Sequence, residues 1–358
     1  MALIGTFLGV IKVKDSGMKW VIVANILGII VTGLLLCASF IEKNVERRNQ
    51  LAKQEAKKVS QQKKENFGYR VEPELCYGVE GDVNIVLITD ANYMDFTRVA
   101  INSAKNTKCE GSKYNFYVMT LDVSEDDKEA LKALEGKNVS VNVLEQKEVD
   151  LFYIRDTHVS KTSLLKYYIA QELKDLDKVL FVDSDIMVLH DLTKLYNTNI
   201  EGKYLAAVKD PSWFFENTHV VELNLNERGF YFNTGVMLMN LAKIREDNLL
   251  EKLEEYTNNN FRTYMDQDAY NVVVGNDVVL LDVEHNTMNF FFEHIDMKVL
   301  AEFYGREWKD YQDVFGNAVI VHFASSKKPL GTKVDEGHFF YKLQQMWYAF
   351  YTPLPALK

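Results

Sequence analysis

The sequence predicts an α/β fold, a mostly parallel sheet with helices on both faces, preceded by one membrane-spanning helix. Three observations predict it. From residue 82 onward, short apolar runs alternate with helix-patterned segments, the succession that builds parallel sheets covered by helices. Apolar residues make up 47% of the 358 and aromatics 12%, so the chain has material for a real core. Trp20 to Phe40 runs 21 residues without a charge, long enough to span a hydrocarbon core of about 30 Å as a helix.

The elements follow in order. Residues 1–19 form an N-terminal tail carrying Lys12, Lys14 and Lys19. Residues 20–40 are read as a single membrane anchor. A cleaved signal peptide fits less well, because the apolar stretch is long and starts late; a buried helix is the other alternative. Residues 41–81 are a charged stem. Within it, 42–66 holds eight Lys/Arg, four Glu and no Pro or Gly, reading as a helical or flexible polar spacer whose positive face could touch anionic lipid.

That positive flank would keep the rest of the chain in the cytoplasm. A lumenal domain would need the bias overruled, and Asn138-Val139-Ser140 is the only glycosylation sequon. The expected location is a single-pass membrane protein, on the lumenal side of ER or Golgi in a eukaryote and on the cytoplasmic face in a bacterium.

Strands are expected at Val83–Thr89, Tyr114–Thr120, Val139–Leu144, Val179–Val182, Tyr204–Val208, Tyr231–Met239, Val278–Leu281 and Ala318–Phe323. Helices are expected at Asp95–Lys105, Glu125–Leu134, Thr162–Leu173, Leu241–Tyr256 and His338–Phe350. The principal domain covers 82–335, and 336–358 form a C-terminal aromatic helix and tail.

Net charge is −10, but residues 67–358 carry −16. An acidic globular part offers no footprint for nucleic acid and suits a site holding a divalent cation. Cys37, Cys76 and Cys109 have no metal spacing. A Cys76–Cys109 disulfide is allowed but not indicated.

Asp183-Ser184-Asp185 is the most informative motif. It closes the apolar run Val179–Val182, and a second run, Ile186–Leu189, follows at once. Side chains two apart on an extended chain point the same way. Both acids therefore face one point past the carboxyl end of a strand, where open α/β sheets bind ligands. Two hard oxygen ligands beside a phosphate suit Mn²⁺ or Mg²⁺. The bland alternative is a strand-end turn with solvated acids.

Other polar groups cluster at strand ends. Asp90, Asn92 and Tyr93 follow the first strand; they could meet a nucleotide, or Asp90 and Asn92 could merely cap a helix. Neither a G-x-G-x-x-G nor a P-loop pattern is present, which argues against dinucleotide and P-loop chemistry. Asn233 and Gly235 open an apolar run and could approach a sugar, or mark a bulge at Gly235. Asp266, Gln267 and Asp268 sit at a probable helix start, as caps or as sugar-binding groups. His322 ends a late strand and could be a third metal ligand. Lys328 could hold a phosphate oxygen. His158, just before the helix that holds Lys166, is weaker still as an isolated observation.

Taken in order over about residues 83–331, these motifs resemble the family 8 glycosyltransferases. The resemblance rests on Asp90-Ala91-Asn92-Tyr93, on Lys178 to Asp185 (KVLFVDSD, against the family's DKVLYLDxD), on Phe232 to Asn240 (FNTGVMLMN), on Asp266-Gln267-Asp268, and on His322 with Lys328-Pro329. It implies a GT-A fold, a Rossmann-like mixed sheet flanked by helices, with a UDP-sugar donor, Mn²⁺ and retention at the anomeric carbon. By motif match, Asp183, Asp185 and His322 bind the metal. Asp90, Asn92 and Tyr93 surround the nucleoside, and Lys328 contacts the pyrophosphate with His158 nearby. Lys166, Ser184, Asn233 and Asp266 bind the donor, with Gln267 and Asp268 at the reacting face. The implied partners are the donor, a carbohydrate-bearing acceptor, the membrane and a second copy in a homodimer.

Three departures stand out. Lys166 occupies a position where Arg is common, keeping the charge but losing the bidentate fork. Leu330 stands where Trp is common, and Ser325 where Gly is common. The rival to an enzyme is an inactive, membrane-anchored protein that binds sugar nucleotide or glycan. A structural membrane protein that docks a partner through its basic stem and aromatic C-terminus is a further rival, though the central motifs do not require it.

Overall fold

The computed structural model describes residues 76, 78–146, 161–211, 217–260, 264–291 and 295–351. The expected anchor at 20–40, the tail before it, most of the stem and His158 lie outside the described residues. Among the described residues no helix is long and apolar enough to cross a membrane.

A seven-stranded sheet carries the fold, in the order β3-β2-β1-β4-β7-β6-β8. Its strands are β1 (Gly81–Asp90), β2 (Ser112–Leu121), β3 (Val139–Glu145), β4 (Lys178–Val182), β6 (Leu205–Lys209), β7 (Phe232–Asn240) and β8 (Val278–Leu281). β1 pairs in parallel with both β2 and β4, while β7 runs antiparallel to both β4 and β6. Six of the seven strands run the same way and β7 alone is reversed, so the sheet is mixed but mostly parallel, as expected.

This order positions the site. From β1 the chain crosses to β2 and β3, then returns to β4 on the other side of β1. The strand order reverses between β1 and β4, and a crevice opens at their carboxyl ends. Asp90 ends β1 and Asp183 follows β4 there.

The chain does not turn away after β4. It runs through Asp183-Ser184-Asp185 straight into β5 (Ile186–Val188), which belongs to a second sheet ordered β5-β10-β9. β10 (Ile320–His322) pairs antiparallel with β5, and His322 falls opposite Ile186. β9 (Thr287–Met288) lies on the other side of β10, with Met288 opposite His322. The two apolar runs flanking the acids are thus strands of different sheets, and the acids bridge them.

The helix Met94–Thr107 packs between the sheets. Met94, Ile101 and Ala104 join the core of the large sheet, while Phe96 and Val99 join Met187, Val321, Phe340 and Trp347. The C-terminal helix Phe339–Phe350 is a core helix, burying Phe340, Leu343, Trp347 and Phe350.

Two expected helices differ. The expected Leu241–Tyr256 helix breaks into Leu241–Glu246 and Leu249–Asn259, because Asn248 adopts a left-handed conformation at φ 51°, which Asn tolerates better than most residues. Residues 161–168 form a 3₁₀ helix that gives way to one α-turn, Ile169–Glu172. The ladder with β4 is regular from Lys178–Asn240 to Val182–Val236, but on the other side the register with β6 shifts between Ala207–Met237 and Lys209–Phe232, the stretch that holds Gly235, so an irregularity falls where a bulge was expected. Cys76 and Cys109 form a disulfide, tying the residues before β1 to the turn that precedes β2.

Candidate active site

A cavity of about 790 Å³ opens at the carboxyl edge of the large sheet. Its walls include Asp90, Tyr93, Lys166, Asp183, Ser184, Asp185, Asn233, Asp266, Gln267 and His322. The fold thus brings together most of the groups singled out in the sequence.

Asp183, Asp185 and His322 converge, each offering one ligand atom within 4.8 Å of the others. His322 Nε2 lies 3.3 Å from Asp185 Oδ1 and 3.7 Å from Asp183 Oδ2. The backbone holds both acids in place. Asp183 N–H donates to Gly235 O at 2.7 Å, and Asp185 O accepts from Phe323 N–H at 2.9 Å.

A chain of hydrogen bonds sets which imidazole nitrogen faces the acids. Asp210 Oδ2 accepts from Asn233 Nδ2 at 3.0 Å and from Gln267 Nε2 at 3.2 Å. A carboxylate can only accept, so the Asn233 amide must turn its NH₂ towards Asp210. Asn233 Oδ1 then faces Gly235 N–H and Asn286 Nδ2, both at 2.9 Å. Asn286 Oδ1 in turn faces His322 Nδ1 at 3.0 Å. Nδ1 therefore carries the proton, and Nε2 presents its lone pair to the site. Such orientation by a hydrogen-bonded partner is what a metal-ligating histidine needs. Asn286 is fully buried.

Gly235 is a glycine because of this packing. A Cβ there would lie 2.2 Å from His322 Cε1, 2.8 Å from its Nδ1 and 2.9 Å from Asp183 Oδ2. The side chains form a cradle that an alanine would invade. A divalent cation fits this donor set: two hard carboxylates and one imidazole with its lone pair exposed.

Two lysines offset the acids. Lys166, 5% exposed, places Nζ 3.1 Å from Asp183 Oδ1 and 2.9 Å from Asp266 Oδ2. Lys328 Nζ lies 2.6 Å from Asp185 Oδ2. Burial alone would raise both aspartate pKa values. At Asp185 the Lys328 ammonium outweighs it, so its carboxyl is held well below the usual range. At Asp183 burial wins over Lys166, and its pKa is raised. Burial would lower the Lys166 pKa, but Asp183 and Asp266 outweigh it and push the pKa up.

Some residues sit elsewhere than expected. Asp268 is fully buried and off the cavity wall. Its Oδ1 accepts from Tyr231 OH at 2.6 Å and lies 2.8 Å from His219 Nε2, while Oδ2 accepts from Tyr264 N–H at 3.2 Å. The cause is helical phase: Asp266 and Gln267 at the start of the Met265–Val274 helix face the cavity, and the next side chain turns inward. Asn92 is exposed and does not line the cavity. Asp90 Oδ1 accepts from Asn92 N–H at 2.9 Å and from Tyr93 N–H at 3.3 Å, the turn-capping alternative, while its Oδ2 accepts from Thr162 at 3.2 Å. Ser184 lines the cavity, but its hydroxyl donates to Ile88 O at 2.8 Å and lies 2.9 Å from Thr97 Oγ1, pinning the acids to β1 and the Met94–Thr107 helix.

Sequence reasoning missed Asp210, Asn286, Tyr264 and Asn289. Asp210 had a readable signal, an acid just after the apolar β6. Asn289 accepts from Ser325 N–H at 3.0 Å and donates to Lys327 O at 3.1 Å, shaping the loop before Lys328. Neither Asn286 nor Asn289 stands in a motif.

The profile of the family described as Glycosyl transferase family 8 matches residues 84–330, more than half of the chain. The chain belongs to that family and is a glycosyltransferase. It is 25% identical to general stress protein A of Bacillus subtilis over 280 residues, 74% of this chain and 94% of that protein. It is 26% identical to a lipopolysaccharide 1,2-glucosyltransferase of Escherichia coli, covering 69% of this chain and 72% of that protein. It spans 63% of a putative glycosyltransferase of Haemophilus influenzae, at 28% identity over 58% of this chain. The fold is similar to that of the galactosyltransferase LgtC in complex with donor and acceptor sugar analogues, with a TM-score of 0.64 and 22% identity, covering 76% of this chain and 98% of that one. The architecture is therefore GT-A-like. The family implies a sugar-nucleotide donor and a carbohydrate acceptor.

Proposed function

We propose that the chain is a retaining glycosyltransferase that moves a hexosyl or pentosyl group from a UDP-sugar to a glycan, lipid-linked or protein-linked acceptor, with Mn²⁺ or Mg²⁺. The observation that carries this reading is the convergence of Asp183, Asp185 and His322 Nε2, with the imidazole oriented through Asn286. Those three residues would hold the cation. When bound, it supplies Lewis-acid stabilisation of the departing diphosphate.

The chain's own residues do the rest. The bond broken joins sugar C1 to the β-phosphate oxygen, and negative charge grows on UDP. Lys328 lies close enough to the acids to share that charge. Losing one such contact costs on the order of 3 kcal/mol, roughly 10²-fold in rate. Tyr93, on the wall near Asp90, offers a ring to the base. Asp266 and Gln267 face the sugar, and Asp210 joins them. Gln267 is an amide and a poor nucleophile, which favours attack by the acceptor hydroxyl from the leaving-group face. The departing phosphate then takes the acceptor proton.

The same reading keeps residues 20–40 as a membrane anchor, supported by their uncharged length. Protease accessibility of the domain in membranes decides which side it faces. UDP release across a panel of UDP-sugars tests the activity, and the anomeric configuration of the product tests the stereochemistry. Inversion at C1 would sink the retaining mechanism, and an absence of turnover with every donor would favour an inactive binding protein.

A further inference from the structure

His219 lies outside every motif noted in the sequence. It sits on the helix Asn217–Glu222 and reaches the buried carboxylate of Asp268, with Nε2 2.8 Å from Oδ1. Its side chain is 12% exposed, and Asp268 is fully buried. A carboxylate accepts hydrogen bonds and donates none, so His219 Nε2 must carry a proton. Tyr231 OH donates to the same oxygen at 2.6 Å. The His219 ring also stands edge-on to the Tyr264 ring, with centroids 5.2 Å apart.

Asp268 and Tyr264 bracket the groups that face the cavity. Tyr264 lines the cavity and precedes the Met265–Val274 helix; Asp268 Oδ2 accepts its N–H at 3.2 Å. Between them lie Asp266 and Gln267. Gln267 Oε1 is held by Asn233 Nδ2 at 3.0 Å and Thr234 N–H at 3.2 Å. The start of this helix is thus fixed on one side by Asn233 and Thr234 and on the other by Asp268.

We infer that His219 is a positioning residue for transfer: through Asp268 and Tyr264 it holds Gln267 and the adjoining wall against the reacting sugar. It touches neither cavity nor substrate, so it acts on the geometry of the reacting face rather than on donor affinity. A shift of about 1 Å at such a face can cost on the order of 10²-fold in rate. The inference rests on the UDP-sugar reading of the cavity.

The test uses the full-length chain and the donor that the wild type accepts. His219→Phe removes the N–H and keeps an aromatic ring. It should lower kcat about tenfold, the loss of one hydrogen bond to a charged group. KM for the donor should stay within about twofold, the signature of an interaction felt after binding. His219→Gln offers an amide N–H in place of Nε2–H and should recover most of kcat. Wild-type kcat in His219→Phe would overturn the inference. So would a loss of kcat in step with thermal stability that His219→Gln does not repair. If His219→Phe does not fold, Tyr231→Phe removes the other donor to the same oxygen. It must then lower kcat without raising KM, and unchanged kcat would overturn the inference. The imidazole ¹H–¹⁵N spectrum needs no turnover: the His219 signal must carry its proton on Nε2, and a bare Nε2 would overturn the inference. A wild type that releases UDP from no donor counts against the proposed function instead, and the spectrum still decides the state of His219.

Discussion

Asn286 Oδ1 lies 3.0 Å from His322 Nδ1 and so turns the bare Nε2 of that histidine towards two aspartates. The relationship runs back through Asn233 to Asp210, whose carboxylate fixes the direction of every amide between.

Asn286→Leu breaks that chain while filling similar space. His322 is then free to change tautomer or rotate. Partners of this kind typically contribute 10–100-fold to metal affinity. Titration with Mn²⁺ should show weakening of about that size, and unchanged affinity would mean that His322 is not oriented by Asn286.

Gly235→Ala places a methyl 2.2 Å from His322 Cε1. The neighbours are a packed ring and a held carboxylate, so neither can swing clear. Overpacking of this kind costs about 1–3 kcal/mol. Thermal denaturation should register that loss, together with weaker Mn²⁺ binding. A stable variant with an intact metal site would show that the cradle is looser than the geometry indicates.

Lys166→Met leaves Asp183 and Asp266 without the ammonium between them. Removing one partner of a buried ion pair costs about 3–5 kcal/mol, because the remaining charge stays buried. Denaturant unfolding of the metal-free protein measures it. Added Mn²⁺ should restore part of the loss by replacing positive charge beside Asp183. A variant as stable as wild type without metal would contradict this.

Lys328→Ala removes the ammonium 2.6 Å from Asp185, whose carboxylate is buried, so stability falls along with activity. Turnover should fall by roughly 10², beyond what the drop in melting temperature accounts for. A loss confined to stability would assign Lys328 a purely structural role.

The strand ends were legible in the sequence because each coupled an apolar run to a polar stop. That pattern exposed Asp90, Asp183, Asp185 and His322, and the run after Asp185 was visible as Ile186–Leu189. What the sequence hid was pairing. Nothing local says that β5 leaves the large sheet to meet β10, and only that register brings His322 beside Asp185. Asn286 was hidden for the same reason, since its partners are 36 and 53 residues away. Asp268 was misplaced by one helical position. Its neighbours face the cavity, and no motif distinguishes an acid facing solvent from one facing Tyr231 and His219. The break at Asn248 was missed because the turn depends on a single left-handed residue.

The central claim is that Asp183, Asp185 and His322 hold a divalent cation against the diphosphate of a sugar nucleotide. Calorimetric titration of UDP, with Mn²⁺ or with chelator, tests it most directly in wild type and in Asp185→Asn. The account predicts that wild type binds UDP only with Mn²⁺ and that Asp185→Asn loses this binding. Equal UDP affinity in chelator and in Mn²⁺, or Asp185→Asn binding as tightly as wild type, would contradict it.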